Sequence, residues 1–254
     1  MAPRTFVIGD IHGDLMALER LLAKLPTLAQ EDTLVFLGDY LDRGPSSLQV
    51  IERVRGLSAT IPAKLVTLRG NHEDMWIKCY QGEEASFGFL IPPGNGCVNT
   101  YRSFTGQAQL TETERLSNEE MLLFMEVASW FPRELFDWMS SLPLWYEDEH
   151  AIYVHAGLEG EGTEWMHPRD CKPMPLMWMR EEDFFLGYRG KRLIFGHTKV
   201  KDLPPPDLSF WKKLFDDPND VWVNHDLIGI DTGSGKGGFL SAIELPAVKI
   251  YESR

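Results

Sequence analysis

Apolar positions in the first eighty residues fall alternately into short continuous runs and into helical spacing. The runs at residues 5–8, 33–37 and 64–68 are typical of buried β-strands. Leucines at helical spacing follow the first run and stop at Pro26, and a second helical pattern spans residues 45–56 and ends at a glycine. Because strand and helix alternate, the pattern predicts a βαβαβ unit with a mostly parallel sheet covered by helices.

The pattern changes between about residues 81 and 142. Apolar positions there predict two helices, at 113–125 and 132–139, after a Pro/Gly-rich loop at 92–96. Strand character then returns in seven short runs, at 144–146, 151–154, 192–195, 221–223, 227–230, 239–245 and 248–251. We therefore expect an α/β protein made of one domain over residues 1–254, with a two-sheet core, flanking helices and a helical insertion at about 81–142.

Composition narrows the classes of partner. The 254 residues include 38 acidic and 25 basic ones, a formal net charge of −13, which argues against nucleic acid as the main partner. Three widely spaced cysteines indicate neither a disulfide framework nor a thiolate zinc site. The chain enters a strand almost at once and has no apolar stretch long enough for a bilayer, so we expect a cytoplasmic protein without a membrane partner.

Three polar blocks, GDIHGD, GDYLDRGP and RGNHE, directly follow the first three predicted strands. The carboxyl ends of parallel strands meet at one edge of a sheet, where open α/β folds place their ligands. Asp10 and His12 are two residues apart and can reach one cation together. Asp39 and Asn71 follow the next two strands, and Asp39 is the best-placed carboxylate to bridge two ions. Asn71 is also expected to cap the helix that follows the third strand.

Two later histidines complete this set. His155 in YVHAG and His197 in FGHT each follow an apolar run and have small neighbours. A single histidine after a strand is more often an ordinary loop residue, but two such residues favour a metal site. Carboxylate, imidazole and amide ligands suit Mn, Fe or Zn better than Ca or Mg. With the arginines of the same blocks available for a phosphate, the residues indicate a metal-assisted phosphoesterase.

The five blocks, taken in order, resemble the signature of the phosphoprotein phosphatase family of calcineurin-like metallophosphoesterases. The resemblance spans residues 9–198, with weaker support at 231–233, and the GGFLSA ending is similar to that of bacterial-type members, the serine/threonine protein phosphatases. It implies the metallophosphoesterase two-sheet β-sandwich and two divalent metal ions, with Mn as the expected metal and Fe or Zn as alternatives. It also implies direct attack by a metal-bridging hydroxide. The first metal would be held by Asp10, His12 and Asp39, and the second by Asp39, Asn71, His155 and His197.

The same resemblance assigns the remaining roles. His72 would protonate the leaving group while Asp42 orients it, and Arg43, Arg69 and Arg180 would bind the substrate phosphate. Each assignment has a structural alternative. Asp42 and Arg43 could pair with each other, Arg69 could cover the sheet edge, and Arg180 could pair with a neighbouring acid. Next to the loop that resembles the substrate side of bacterial members, a cysteine at 97 and an asparagine at 99 depart from the family pattern.

Three functions remain open from the sequence. Glu73, in LRGNHE, resembles the protein phosphatases and favours hydrolysis of phosphoserine or phosphothreonine, with phosphotyrosine as a further substrate, in phosphoproteins or phosphopeptides. The alternative is symmetrical hydrolysis of dinucleoside polyphosphates such as diadenosine tetraphosphate, by relatives that more often carry aspartate at that position. A non-catalytic phosphopeptide-binding protein is disfavoured because every expected ligand is present.

Overall fold

Twelve strands and nine helices make up the described part of the structure, a computed structural model that covers residues 3–111, 113–161, 164–206 and 220–254. The strands are β1 Thr5–Ile8, β2 Thr33–Phe36, β3 Lys64–Thr67, β4 Trp145–Glu147, β5 Ile152–Val154, β6 Gly160–Glu161, β7 Glu164–Trp165, β8 Leu193–Phe195, β9 Trp222–Asn224, β10 Leu227–Gly229, β11 Ser241–Leu245 and β12 Lys249–Glu252. The helices are α1 Leu15–Lys24, α2 Ser47–Gly56, α3 Asn71–Tyr80, α4 Cys97–Thr105, α5 Asn118–Met125, α6 Val127–Trp130, α7 Arg133–Ser141, α8 Pro173–Trp178 and α9 Glu182–Gly187.

Ten of these strands form two five-stranded sheets. The first has the order β12-β11-β1-β2-β3, and the second has the order β4-β5-β8-β10-β9. Strands β1, β2 and β3 are parallel, as the βαβαβ pattern predicts, whereas β11 joins β1 in antiparallel orientation. Likewise, β5, β8 and β10 are parallel in the second sheet, with antiparallel β4 and β9 at its edges. The predicted α/β fold with a two-sheet core is confirmed, and both sheets are mixed.

Alternation along the strands produces the layers. In β1, Val7 packs in a buried layer that also holds Val35, Ile194 and Ile228 and therefore lies between the two sheets. Its neighbours Phe6 and Ile8 point the other way, into a core shared with the helices. This arrangement follows from the two-residue period of a strand, which sends successive side chains to opposite faces. The order of layers is thus helix, sheet, sheet, helix.

Helices α1, α2, α3, α5 and α7 lie in stretches with a predicted helix, whereas α6, α8 and α9 have no counterpart among the predictions. Asp14 caps α1, since its side chain accepts a hydrogen bond from the Ala17 amide at 2.9 Å. Asn71 was expected to cap α3, but Gly70 holds that position and Asn71 is the first helical residue. Helix α4 was not predicted, and α5 begins at Asn118 rather than near residue 113 because Ser117 caps it.

Aromatic side chains hold the insertion against α3. Trp76 of α3 is fully buried, and its ring lies 5.3 Å from Trp130 and 6.0 Å from Phe131 between ring centroids. Tyr101 of α4 packs on Phe124 and Trp130 at 5.6 and 5.1 Å. Edge-on and offset contacts of this kind stabilise aromatic clusters beyond the area that they bury. Helices α4 to α6 are therefore anchored to the helix that begins with Asn71 and His72.

None of the helices in the described ranges combines the length and the apolar character that a bilayer crossing requires.

Candidate metal centre

The six predicted metal ligands lie together, where strands of the two sheets end. Segments that follow β1, β2 and β3 approach segments that follow β5 and β8. All six side chains are buried, with at most 3% of their surface exposed, and they are Asp10, His12, Asp39, Asn71, His155 and His197. The two sheets thus bring residues up to 187 positions apart into one cluster, as in the hydrogen bond from the His197 amide to Asp10 Oδ2 at 2.9 Å.

Asp39 stands at the centre of this cluster. Its carboxylate belongs to two groups of side chains whose possible ligand atoms lie within 4.8 Å of one another, one with His12 and His72 and one with His155 and His197. Its Oδ2 is 3.3 Å from His12 Nε2, and its Oδ1 is 3.5 Å from His155 Nε2. A carboxylate that serves two neighbouring groups in this way has the position of a bridge between two ions.

Backbone carbonyl groups orient the histidine rings. Nδ1 of His12 lies 3.0 Å from the Leu41 carbonyl oxygen, and Nδ1 of His155 lies 3.0 Å from that of Leu37. Each ring therefore donates from Nδ1 and leaves Nε2 available toward the cluster, the usual arrangement of metal-binding histidines. The amide oxygen of Asn71 lies between His155 Nε2, at 3.0 Å, and His197 Nδ1, at 2.8 Å.

Charge in the cluster is suited to a cation. Burial, together with the neighbouring Asp231 and Asp39 carboxylates, raises the pKa of Asp10 well above its usual value. Burial also lowers the pKa of His12 and His197 well below the usual value, which keeps both imidazoles neutral. Neutral imidazole and ionised carboxylate are the forms that bind metal ions, and divalent cations would remove the repulsion among the buried carboxylates.

Several atoms of the cluster have no hydrogen-bond partner among the described residues. They include Asp10 Oδ1, His12 Nε2 and His197 Nε2, and all are buried. Buried polar atoms without partners are rare, because each loses its hydration without compensation. Their convergence here fits two divalent ions held by the six predicted ligands, and the role of each ligand stays a prediction.

His72 and Asp42 form a pair beside the cluster. The Nδ1 atom of His72 is 2.6 Å from Asp42 Oδ2, so the ring donates from Nδ1 and points Nε2 toward Asp39, 3.8 Å away. Burial opposes protonation, but Asp39 and the hydrogen bond with Asp42 outweigh it and raise the pKa of His72. In this geometry the imidazole can donate a proton from Nε2.

Asp42 is in turn held by three further donors, which sequence reasoning did not connect with it. Trp76 Nε1 donates to it at 2.9 Å, Thr100 Oγ1 at 2.6 Å and Cys97 Sγ at 3.6 Å. Asn99, the other departure from the family pattern, donates from Nδ2 to the Arg43 carbonyl oxygen at 2.6 Å. The α4 residues thus support the His72–Asp42 pair. This support becomes visible only where α3 and α4 contact the loop that carries Asp42.

The three predicted phosphate-binding arginines differ in their surroundings. In Arg43, Nε and Nη1 are buried without a partner among the described residues, which leaves the guanidinium free for an anion. Arg180 is exposed and donates to the His197 carbonyl oxygen at 3.3 Å. Arg69 instead donates to the Ser140 carbonyl oxygen at 2.5 Å and lies 3.7 Å from Asp74. Arg43 and Arg180 therefore border the cluster, while Arg69 has protein partners that fit its structural alternative.

The Glu73 carboxylate faces the backbone. It is fully buried, and its carboxylate accepts hydrogen bonds from the amides of Asp39, Tyr40 and Gly70 at 2.8 to 2.9 Å. Burial and the Asp39 charge raise the pKa of Glu73 to about 7, against these three hydrogen bonds. Glu73 thus joins the ends of β2 and β3 and fixes the segment that carries Asp39.

Two half-buried aromatic rings border the centre. Phe89 packs edge-on against His72, with 5.0 Å between ring centroids, and Trp178 packs edge-on against His197 at 6.0 Å. The two rings also contact each other at 6.2 Å. They form a continuous apolar edge beside the polar cluster.

Known proteins share this architecture. A model described as calcineurin-like phosphoesterase matches residues 3–201. The asymmetrical bis(5'-nucleosyl)-tetraphosphatase of Anoxybacillus flavithermus is 27% identical over 271 residues, which covers 96% of this chain and 91% of that protein. The symmetrical bis(5'-nucleosyl)-tetraphosphatase of Paracidovorax citrulli is 26% identical over 282 residues, covering 95% and 92%. A crystal structure provisionally described as a diadenosine tetraphosphatase superposes with a TM-score of 0.62 at 20% identity, covering 98% of this chain and 92% of its own, which supports the fold.

Proposed function

The chain belongs to the calcineurin-like phosphoesterase family, and we propose that it hydrolyses dinucleoside tetraphosphates such as diadenosine tetraphosphate. The observation that carries this proposal is the similarity along 95–96% of the chain to proteins named as bis(5'-nucleosyl)-tetraphosphatases. The phosphoesterase class rests on the family and on the buried cluster of carboxylates and imidazoles. The dinucleotide was the alternative substrate in the sequence analysis, and it now becomes the main one.

The position of Glu73 removes the reason for preferring a phosphoprotein. That preference depended on a glutamate after the histidine of RGNHE, but the Glu73 carboxylate is occupied by three backbone amides and has no exposed surface. A side chain in this position acts on the stability of the metal-ligand segment. It offers no contact by which a phosphopeptide could be told from a nucleotide.

The residues of the centre would have different roles in hydrolysis. Asp10, His12, Asp39, Asn71, His155 and His197 would hold two divalent ions, for which we propose Mn. Such ions lower the pKa of a nearby water molecule and neutralise phosphoryl oxygens. Arg43, whose guanidinium has no described partner, would bind the phosphoryl oxygens as charge builds on them.

We assign proton transfer to the leaving oxygen to His72. Water attacks phosphorus, the bond from phosphorus to the leaving oxygen breaks, and that oxygen leaves with the electron pair. His72 Nε2 can supply a proton to it, because the hydrogen bond to Asp42 at 2.6 Å fixes Nδ1 as the other donor. A nucleoside polyphosphate leaves as a weakly basic anion, so it needs this proton less than the alkoxide of phosphoserine does.

The test compares substrates in parallel. Metal-stripped protein receives Mn and is given diadenosine tetraphosphate and a panel of phosphoserine, phosphothreonine and phosphotyrosine peptides. We expect a higher kcat/KM for the dinucleotide, with two ADP from symmetrical cleavage or ATP and AMP from asymmetrical cleavage. Faster phosphate release from the peptides would refute the dinucleotide and restore the phosphoprotein phosphatase. Addition of Fe or Zn in place of Mn tests the metal, and the cytoplasmic location stays a prediction.

A further inference from the structure

A glycine-rich loop lies against the segment that carries Asp10 and His12. The loop, at residues 233–238, connects β10 to β11. Ser234 Oγ donates to the Ile11 carbonyl oxygen at 3.0 Å, and a β-carbon on Gly235 would lie 2.4 Å from the His12 carbonyl oxygen. The backbone of the loop therefore touches the metal-ligand segment, and only a residue without a side chain fits at 235. The one long side chain in this loop is that of Lys236, which lies within electrostatic reach of Arg43.

A cavity with three lysines opens beside this loop. It has a volume of about 100 Å³ and lies between the loop and the turn after His197. Lys199, Lys201 and Lys236 line it, together with Asp231 and Thr232. Asp231 and Thr232 are buried, whereas Lys201 and Lys236 are exposed.

Among the described residues, the lysines of this cavity form no ion pair, although the Asp231 carboxylate lies within electrostatic reach of Lys199 and Lys236. No ion pair joins Lys199, Lys201 or Lys236 to any residue in the described ranges, whereas Lys78 and Lys191 pair with carboxylates at 2.8 and 2.9 Å. Partial burial, Arg43 and Lys199, in that order, lower the pKa of Lys236 to about 8; Arg180 acts in the same direction, and the Asp231 carboxylate acts in the opposite one. Two lysines and two arginines thus lie within electrostatic reach of one another on a chain of net charge −13. Such a concentration of cations is complementary to a polyanion.

The substrate class of the proposed function supplies this polyanion. A dinucleoside tetraphosphate carries four linked phosphates, and in the proposed reaction only the one under attack would lie at the metal centre with Arg43. We propose that Lys236 and Lys199 bind the neighbouring phosphates of the chain, and that this cavity selects polyphosphates over phosphate monoesters. The proposal rests on the proposed function, and it adds to the metal site a second, metal-free contact with the substrate. Lysine suits this task because its point charge on a flexible stem follows a mobile phosphate chain.

The first experiment replaces Lys236 by glutamine, which removes the charge from an exposed loop residue. We expect KM for diadenosine tetraphosphate to rise roughly tenfold, which corresponds to about 1.4 kcal/mol. The kcat/KM for p-nitrophenyl phosphate, a monoester without further phosphates, should stay the same. Lys236→Arg should retain most of the affinity because it keeps the charge. Lys24→Gln, at the far end of α1 from the metal ligands, is the matched control.

A second experiment separates this proposal from the proposed function. Inorganic tripolyphosphate is titrated as an inhibitor of p-nitrophenyl phosphate hydrolysis, with inorganic phosphate as the comparison. We expect Lys236→Gln to weaken inhibition by tripolyphosphate roughly tenfold and to leave inhibition by phosphate unchanged. Tripolyphosphate also chelates Mn, and the control Lys24→Gln, measured at the same Mn concentration, accounts for this effect. Binding of tripolyphosphate measured by calorimetry gives a readout that does not depend on turnover.

The outcomes are distinct. If diadenosine tetraphosphate is not hydrolysed but Lys236→Gln still weakens tripolyphosphate binding, the proposed substrate fails and the polyphosphate site stands. If Lys236→Gln binds tripolyphosphate as tightly as the unmodified protein, the site is refuted even when the dinucleotide is a substrate. An equal loss for phosphate and for tripolyphosphate would also refute it, because the lysine would then serve the metal centre itself.

Discussion

Replacing Glu73 by glutamine tests how the fold holds the bridging carboxylate in place. Glu73 Oε2 accepts from the Asp39 and Gly70 amides at 2.8 and 2.9 Å, and Oε1 accepts from the Tyr40 amide at 2.9 Å. Glutamine has nearly the same shape but offers one oxygen and one amide nitrogen. Whichever way the side-chain amide turns, at least one buried backbone donor faces another donor.

The magnitude follows from the number of donors left unpaired. A buried donor without a partner costs about 1–3 kcal/mol, so Glu73→Gln should lower the free energy of unfolding by about 1–3 kcal/mol. In a chain of this size that is a fall in Tm of roughly 2–12 °C. Glu73→Ala would leave three donors unpaired, at about 3–9 kcal/mol, which overlaps the whole stability of a typical domain. Glutamine is therefore the informative change.

The assay is thermal and urea unfolding of the metal-loaded protein, with Glu52→Gln on the exposed face of α2 as the matched control. The competing hypothesis, that this glutamate selects the substrate, is tested by Glu73→Asp. Because the carboxylate does not face the substrate, the ratio of dinucleotide to phosphopeptide turnover should change by less than about threefold. An unchanged Tm in Glu73→Gln, together with a shift of more than about tenfold in the substrate ratio of Glu73→Asp, would refute our reasoning.

Three further predictions concern the centre and the fold. His72→Asn should lower kcat for an alkyl phosphate by roughly 10²–10⁴-fold and by less for diadenosine tetraphosphate, with metal content retained; an unchanged rate on the alkyl phosphate would show that His72 is not the acid. Asp39→Asn should lose bound metal, measured by elemental analysis after dialysis, because Asp39 belongs to both groups of ligand atoms; full metal content would contradict the bridging position. Asp32→Asn should cost about 1–3 kcal/mol at neutral pH, because Asp32 accepts from Arg4 at 2.6 Å and from the Ala29 amide at 2.8 Å. Burial opposes ionisation, but these bonds lower the pKa of Asp32, so this stabilisation is present above the unfolded value near 4 and is lost as the pH falls through the lowered pKa. Urea unfolding of the protein and its Asn variant should therefore converge in acid, and a pH-independent difference would contradict the linkage.

Local patterns were enough to predict the elements that place the centre. The first three strands match their predicted positions to within one residue, because each is a short apolar run followed directly by a polar block. The ends of parallel strands share one edge, so the order of the blocks also predicted that Asp10, Asp39 and Asn71 would meet. The second sheet was harder to derive, since β4, β5, β8, β9 and β10 come from short runs whose pairing depends on the fold and not on their spacing.

The side chains that hold the site residues in place could not be predicted from such local patterns. Thr100 and Cys97 contact Asp42 from 58 and 55 residues away, and neither occurs in a block that has chemistry of its own. Lys236 lies in a glycine-rich stretch that predicts only a turn. Glu73 attracted attention only through its resemblance to the protein phosphatases, and no pattern in the sequence indicated that its carboxylate would accept hydrogen bonds from the Asp39, Tyr40 and Gly70 amides. Side-chain direction on a helix or loop is set by packing, which one sequence does not contain.

The backbone at the centre explains why the predicted site residues and the irregular structure coincide. Seven non-glycine residues in the described ranges have positive φ, and five of them are His12, Asp39, Asp42, Arg43 and His197. This conformation costs on the order of 1–3 kcal/mol per residue and persists only where surrounding contacts enforce it. Two such contacts are the hydrogen bonds from the His12 amide to the Asp39 carbonyl oxygen and from the Gly44 amide to the His12 carbonyl oxygen, both 2.8 Å. Because strand and helix propensities favour negative φ, the functional residues had to lie where those patterns break. The polar blocks after the strands therefore contain both the predicted site residues and the strained backbone. A substitution that relaxes this backbone should raise the free energy of unfolding, but it should also displace a predicted metal ligand.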